Sequence, residues 1–104
     1  MIKISSTAIK QMKLSASEGG MNALPLRVAI KRQGDGSFHY AMGFDDQRLP
    51  GDSFVTVEEV NLVVSETSSP LAEGMTIDYV ELEAGQFEFI FLNPNDPQFV
   101  PPSR

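Results

Sequence analysis

Ile2 and Ile4 alternate with Lys3 and Ser5, the two-residue period of a short edge strand. Ser5 or Ser6 can then cap a helix by offering its hydroxyl to an unpaired backbone N–H. Ala8, Ile9, Met12 and Ala16 recur at three- and four-residue spacing, with Lys10, Lys13 and Glu18 off that stripe, so a helix is expected as far as Gly19-Gly20. It is the one long helix the pattern offers. Residues 26–31 (LRVAIK) alternate apolar with polar or small side chains, and residues 38–44 (FHYAMGF) follow across a Gly/Asp/Ser connection, which predicts two paired strands. After the loop DDQRLPGD, residues 54–57 and 60–64 read as a hairpin with Glu58-Glu59 at its tip, and residues 67–70 break the pattern. Residues 71–73 suit one helical turn before Gly74. Residues 76–82 and 87–91 form the last two strands, joined through Ala84-Gly85, and Phe87, Phe89 and Phe91 share a face expected to lie in the core. The closing NPNDPQFVPPSR holds four of the seven prolines, cannot continue a ladder and is expected to run extended. With no repeat and no linker, the chain reads as one domain over residues 1–95 and a proline-rich tail over residues 96–104.

Composition narrows the chemistry. A chain of 104 residues, 41% of them hydrophobic, buries enough surface for one core and too little for two. It contains no cysteine and one histidine, which removes disulfides, thiolate metal sites and cysteine nucleophiles. The first ten residues, MIKISSTAIK, lack the apolar run of a signal peptide, and no stretch of about 18 apolar residues occurs anywhere, so a cytoplasmic protein without a membrane segment is expected. The net charge of −6 is unevenly spread. Residues 1–34 carry six cations against one acid, and residues 35–104 carry two cations against thirteen acids. Six scattered cations do not make the dense basic surface that phosphate neutralisation needs, so no nucleic-acid partner is expected.

The segment Gly34-Asp35-Gly36-Ser37-Phe38-His39-Tyr40 sets a carboxylate between two glycines and close to the only histidine. Asp-Gly between strands is a hairpin signal that needs no function. The same residues can also be drawn as a weak divalent-metal or small-anion site, with Asp35 and His39 as ligands and Asp45 or Asp46 closing it. Ser37, His39 and Asp45 or Asp46 lack the nucleophile elbow and oxyanion hole of a hydrolase. Glu58, Glu59, Glu66 and Glu73 read as a solvated face rather than an acid/base pair. No nucleophile-base pair or cofactor loop stands out, and no enzyme activity is expected.

Four segments in order resemble the HesB, or A-type, iron–sulfur carriers, a family whose bacterial members are called IscA, SufA and ErpA. Residues 2–8 (IKISSTA) are similar to the opening I-x-[IL]-T-x-x-A. Residues 26–40 resemble L-R-[VI]-x-[VI]-x-x-G-x-x-x-[FM]-x-Y. LAEGMTIDYVE, residues 71–81, resembles L-x-G-[TM]-x-[IV]-D-[YF]-V-E, and FIFLNPN, residues 89–95, resembles F-x-[FI]-x-N-P-N. The resemblance implies an α+β fold, a HesB-like mixed β-sandwich of short strands with one long N-terminal helix. Members hold iron or a cluster on three cysteines, one in a G-C-S-G loop and two in a C-G-C tail. Those positions align here on Asp35, Val100 and Pro102. A cluster is therefore not expected as a cofactor. What the resemblance implies instead is a non-catalytic, protein-binding role in or near iron–sulfur cluster biogenesis, with assembly or cluster-accepting proteins as partners. Phe99 and Val100 are the candidate partner contacts, and a monomer or weak homodimer is expected.

Overall fold

A computed structural model describes residues 2–22 and 24–99; the expectations for Val100 and Pro102 fall outside them. The order of elements is β1 (Lys3–Ile4), α1 (Ser6–Gly19), β2 (Leu26–Arg32), β3 (Phe38–Phe44), β4 (Ser53–Val57), β5 (Val60–Val64), a 3-10 turn (Ser69–Ala72), β6 (Thr76–Glu83) and β7 (Gln86–Leu92). The fold is α+β, with one helix and short strands in two sheets.

Helix α1 begins where Ser5 Oγ accepts the Ala8 N–H at 3.1 Å and ends at Gly20, whose φ of 69° lies in the left-handed region a C-terminal cap requires. Its buried face is Ala8, Ile9, Met12 and Ala16, the stripe legible in the sequence. The Ser5 hydroxyl also donates to Asp78 Oδ1 at 2.6 Å, fastening the start of α1 to β6. The Ser5 hydroxyl, with help from the Tyr79 N–H and the Thr7 hydroxyl, holds the Asp78 carboxyl below its usual range.

One sheet has the order β1-β6-β7 and the other β3-β2-β5-β4. Both are mixed: β1 runs parallel to β6 and β2 parallel to β5, while the other pairs are antiparallel. The core draws on both sheets and the helix, with Leu62, Met75, Ile77 and Val28 fully enclosed. The β2–β5 pairing stops at Val28 and Val64. There the buried Ser68 takes over, accepting the Ile30 N–H at 2.9 Å and donating to the Ile30 carbonyl at 3.2 Å. A side chain so replaces the strand that ends, and the buried backbone stays paired.

Two expectations change. Phe89 and Phe91 pack against the core, but Phe87 is 52% exposed and lies stacked on Tyr79, because the β6–β7 hairpin extends past the rest of the molecule's cover. The prolines of the tail predict an extended segment. Its described part is folded into turns, with Asp96 N–H donating to the Asn93 carbonyl at 3.0 Å and Phe99 N–H to the Asp96 carbonyl at 2.9 Å. Asp96 Oδ1 accepts the Gln98 N–H at 2.9 Å, so an aspartate side chain supplies the local bond that the pattern of prolines concealed. No helix among the described residues is long and apolar enough to cross a membrane.

Candidate functional site

Asp35 sits at the tip of the β2–β3 hairpin. The turn is closed by Gly36 N–H donating to the Gln33 carbonyl at 2.9 Å, and Gly36 has a φ of 90°, which a side chain would resist. The Asp35 carboxylate turns back on its own loop, accepting the Ser37 N–H at 3.0 Å and the Ser37 hydroxyl. Those bonds, the hydroxyl's foremost, hold its carboxyl below the usual range.

His39 is exposed on β3 and stands directly opposite Lys31 on β2. The open hollow beside it is lined by Lys31, Arg32, Gln33 and Gly34, a positive surround that disfavours a cation. The carboxylate drawn as closing this site is elsewhere. Asp45 follows the far end of β3, roughly 20 Å from its start for a seven-residue strand, and it accepts from Arg27 Nε; Asp46 is its exposed neighbour. Among the described residues, no three of His, Asp and Glu lie close enough to share a metal ion.

Arg27 organises a different feature. Its guanidinium donates to both oxygens of Asp52 at 3.1 and 2.9 Å, to Asp45 and to the Gln47 carbonyl at 3.2 Å. The Asp52 side chain is only 2% exposed and also accepts the Leu49 N–H at 2.9 Å. Arg27 holds the Asp52 carboxyl below its ordinary range, and the two carboxylates keep Arg27 more firmly protonated than usual. The loop between β3 and β4 is thereby strapped across the face of the sheet that carries Arg27. Val63, cross-strand from Arg27, is fully buried there although it lies outside the main core cluster.

Tyr40 carries the contact that sequence reasoning missed. Its ring stacks on Phe91 at 4.8 Å and 3°, joining the two sheets, and its hydroxyl donates to Asp96 Oδ2 at 2.7 Å. Burial, reinforced by the Asp96 carboxylate, pushes the phenol well above its usual range, so it remains a donor at ordinary pH. The Asn93-Pro94-Asn95 segment is equally fixed. Asn93 Nδ2 donates to the Leu71 carbonyl at 2.7 Å and Asn95 Nδ2 to the Glu73 carbonyl at 2.7 Å. Phe99, half-buried, closes the described tail. The signal for the Tyr40 contact was the acid two residues after N-P, which pattern alone does not connect to a tyrosine 56 residues earlier.

No protein-family model matches the chain. The iron–sulfur cluster insertion protein ErpA of Yersinia enterocolitica is 36% identical over 94 residues, covering 90% of this chain and 82% of ErpA. A protein of Aquifex aeolicus is 33% identical over 95 residues, covering 91% of this chain and 81% of its own length. The crystal structure of IscA with its [2Fe-2S] cluster superposes with a TM-score of 0.79 at 23% identity, covering 94% of this chain and 89% of IscA. Identity of this order over nearly the whole of both chains, together with the shared fold, makes the chain a member of the HesB, or A-type iron–sulfur carrier, family, and a divergent one that contains no cysteine.

Proposed function

We propose that this chain is a non-catalytic accessory protein of iron–sulfur cluster biogenesis, which acts by binding other proteins and does not carry a cluster on thiolates. One observation carries the reading: the family scaffold is present while the chain has no cysteine at any position. Clusters draw their affinity from thiolate donors. At the position aligned with the first of them, Asp35 is an exposed carboxylate committed to its own turn, and the other two positions align on Val100 and Pro102. Neither Val nor Pro offers a side-chain ligand, and a second copy of the same chain would add no thiol. Phe99 and Val100 are the residues we assign to partner contact, as the apolar pair that follows the turns of the tail.

Two measurements test this. Anaerobic incubation with ferrous iron and sulfide is expected to leave the protein without the visible charge-transfer absorption of a cluster, whereas the triple variant Asp35→Cys, Val100→Cys, Pro102→Cys is expected to gain it. A stoichiometric cluster on the unaltered chain after gel filtration refutes the non-carrier reading. Affinity capture from native extract is expected to recover assembly or cluster-accepting proteins, with a cysteine-bearing relative as positive control. Recovery by the control alone refutes the accessory role.

A further inference from the structure

Strand β3 is an edge left open among the described residues. It is first in the order β3-β2-β5-β4 and pairs with β2 alone, and no lysine, proline or bulge interrupts residues 38–44. The direction of its backbone groups follows from the bonds around it. Gln33 N–H donates to the Ser37 carbonyl at one end of the ladder and Asp45 N–H to the Pro25 carbonyl at the other, while the Ile30 N–H and carbonyl turn away to Ser68. Antiparallel bonding alternates, so Arg27–Gly43, Ala29–Ala41 and Lys31–His39 are the bonded pairs. The backbone N–H and C=O groups of Phe38, Tyr40, Met42 and Phe44 therefore point outward, and none of them bonds another described residue. Two features flank this edge. On the core side of its far half lies an apolar hollow of about 220 Å³, lined by Met12, Leu26, Met42, Phe44 and Phe89. At its start, Lys31 and His39 stand side by side on the outer face, and on the other face Arg32 lies over the Phe38 ring at 4.9 Å. The Asp35 carboxylate of the same hairpin is turned onto Ser37. The ion pairs of the described residues use Lys13 and Arg27, so Lys31 and Arg32 stay uncompensated in a chain of net charge −6.

We propose that the β3 edge takes a strand from a partner protein, an extended segment that is apolar at one end and carries successive carboxylates at the other. Strand addition pairs the outward groups of Phe38, Tyr40, Met42 and Phe44 with the main chain of the segment. Side chains of the added strand alternate between faces as those of β3 do. Those beside Met42 and Phe44 enter the hollow, which suits valine or isoleucine, and those beside Ala41 and Gly43 lie on the open face of the sheet. At the other end one carboxylate meets Lys31 and His39 and the next meets Arg32, because the cations lie on both faces. A strand such as Phe38–Phe44 is about 20 Å long, so about seven residues of the partner reach both features. Charge selects this occupant over two others. The chain's own residues 100–104 would bring Arg104 to a cationic edge, and Pro101 and Pro102 have no N–H to give to a ladder. A second copy of β3 carries no carboxylate at all. This edge pairing rests on the reading of the chain as a protein-binding accessory, and it adds a surface and a partner chemistry to that reading.

The probe is a synthetic peptide of about eight residues, capped at both ends, in which valine and threonine alternate and the last positions are glutamates. A second peptide has lysines for the glutamates, and each is also made in reversed order, since strands add in either direction. The full chain, isotope-labelled, is titrated with each peptide to about 1 mM and followed by amide NMR. An acidic peptide is expected to bind at least about tenfold more tightly than its lysine counterpart and to shift the amides of Phe38, Tyr40, Met42 and Phe44. Lys31→Glu combined with His39→Glu, at two exposed positions, is expected to reverse that preference, which unfolding cannot do. N-methylation of alternate peptide residues is expected to abolish binding in one register and spare it in the other, since only every second N–H faces β3. Equal binding of the acidic and lysine peptides, indifference to N-methylation, or no binding up to about 1 mM would each overturn the proposal. So would outward β3 amides that shift with protein concentration alone, which makes a second copy the occupant, or that resist exchange in the dilute free chain, which makes the chain's own tail the occupant. Failed peptide binding leaves the affinity capture unaffected, so loss of this edge and loss of the accessory role are read separately.

Discussion

Replacing Tyr40 by phenylalanine removes one oxygen and little else. The ring keeps its stacking on Phe91, since that contact is between ring faces, and what disappears is the bond from the hydroxyl to Asp96 Oδ2 at 2.7 Å. A hydrogen bond to a carboxylate contributes about 1.5–3 kcal/mol, and the half-buried setting of both groups puts this one near the lower end, about 1.5 kcal/mol. For a domain of this size that lowers the melting temperature by roughly 6–12 °C. The loss should also be local. Asp96 would still accept the Gln98 N–H, so the turn can form, but its tie to β3 is gone. Thermal unfolding by circular dichroism measures the first effect, and amide exchange at Gln98 and Phe99 the second. If Tyr40→Phe melts within about 1 °C of the parent and the exchange is unchanged, the turns over residues 93–99 hold themselves and Tyr40 does not position the tail.

Two further outcomes follow from the same chemistry. Glu58 and Glu59 form the tip of the β4–β5 hairpin with φ of 47° and 75°, a conformation that suits Asn-Gly and costs other residues about 1 kcal/mol or more each. Glu59→Gly is therefore expected to raise the melting temperature by several degrees, because the bond it gives up, from Lys13 at 3.3 Å, joins a carboxylate that is 89% exposed; a lower melting temperature would refute the strain argument. The folded-state carboxyls of Asp52 and Asp78 lie below their ordinary range, so the stability they contribute is present above about pH 4 and is lost as the pH falls through their lowered values. Acid titration of the melting temperature should therefore fall more shallowly below that point in Asp52→Asn than in the parent, and parallel curves would exclude the Arg27–Asp52 pair as a source of the pH dependence.

Much of the fold was legible because the signals are local. The stripe Ala8, Ile9, Met12, Ala16, the serine before it and the glycines after it are one continuous message, and α1 obeys it from cap to cap. The hairpin at Asp35 is equally local, a turn closed by its own backbone and by Ser37. Strand partners are not. Nothing in residues 26–32 announces a parallel neighbour at residues 60–64, and nothing in QFEFIFL tells an interior strand from an edge. Side-chain chemistry fails in the same way at a distance: Asp45 looks available for a metal beside His39 until Arg27, 18 residues earlier, is seen to occupy it. The apolar period likewise puts Phe87 with Phe89 and Phe91, but cover depends on what lies across the strand, and the hairpin outruns it.

The residues through which the chain resembles its family are largely those that tie distant elements together. Ser5 of the first segment bonds Asp78 of the third, Arg27 and Tyr40 of the second hold the loop after β3 and the turns after β7, and Asn93 and Asn95 of the fourth bond the carbonyls of Leu71 and Glu73. Each spans more than 20 residues of sequence, and the bonds of Ser5, Arg27, Tyr40 and Asn93 use buried or half-buried polar groups, so losing one of these leaves a partner group short of a bond inside the protein. Asp35 differs in kind. It is exposed, its bonds reach only to Ser37, and no other element depends on it. An exposed position of that sort can change its side chain at little cost to folding, while the long-range ties cannot change freely. Resemblance in this fold therefore reports the scaffold more strictly than the chemistry. It also makes the cysteine graft a fair experiment at position 35, since it adds a donor there without cutting any tie on which the rest of the structure relies.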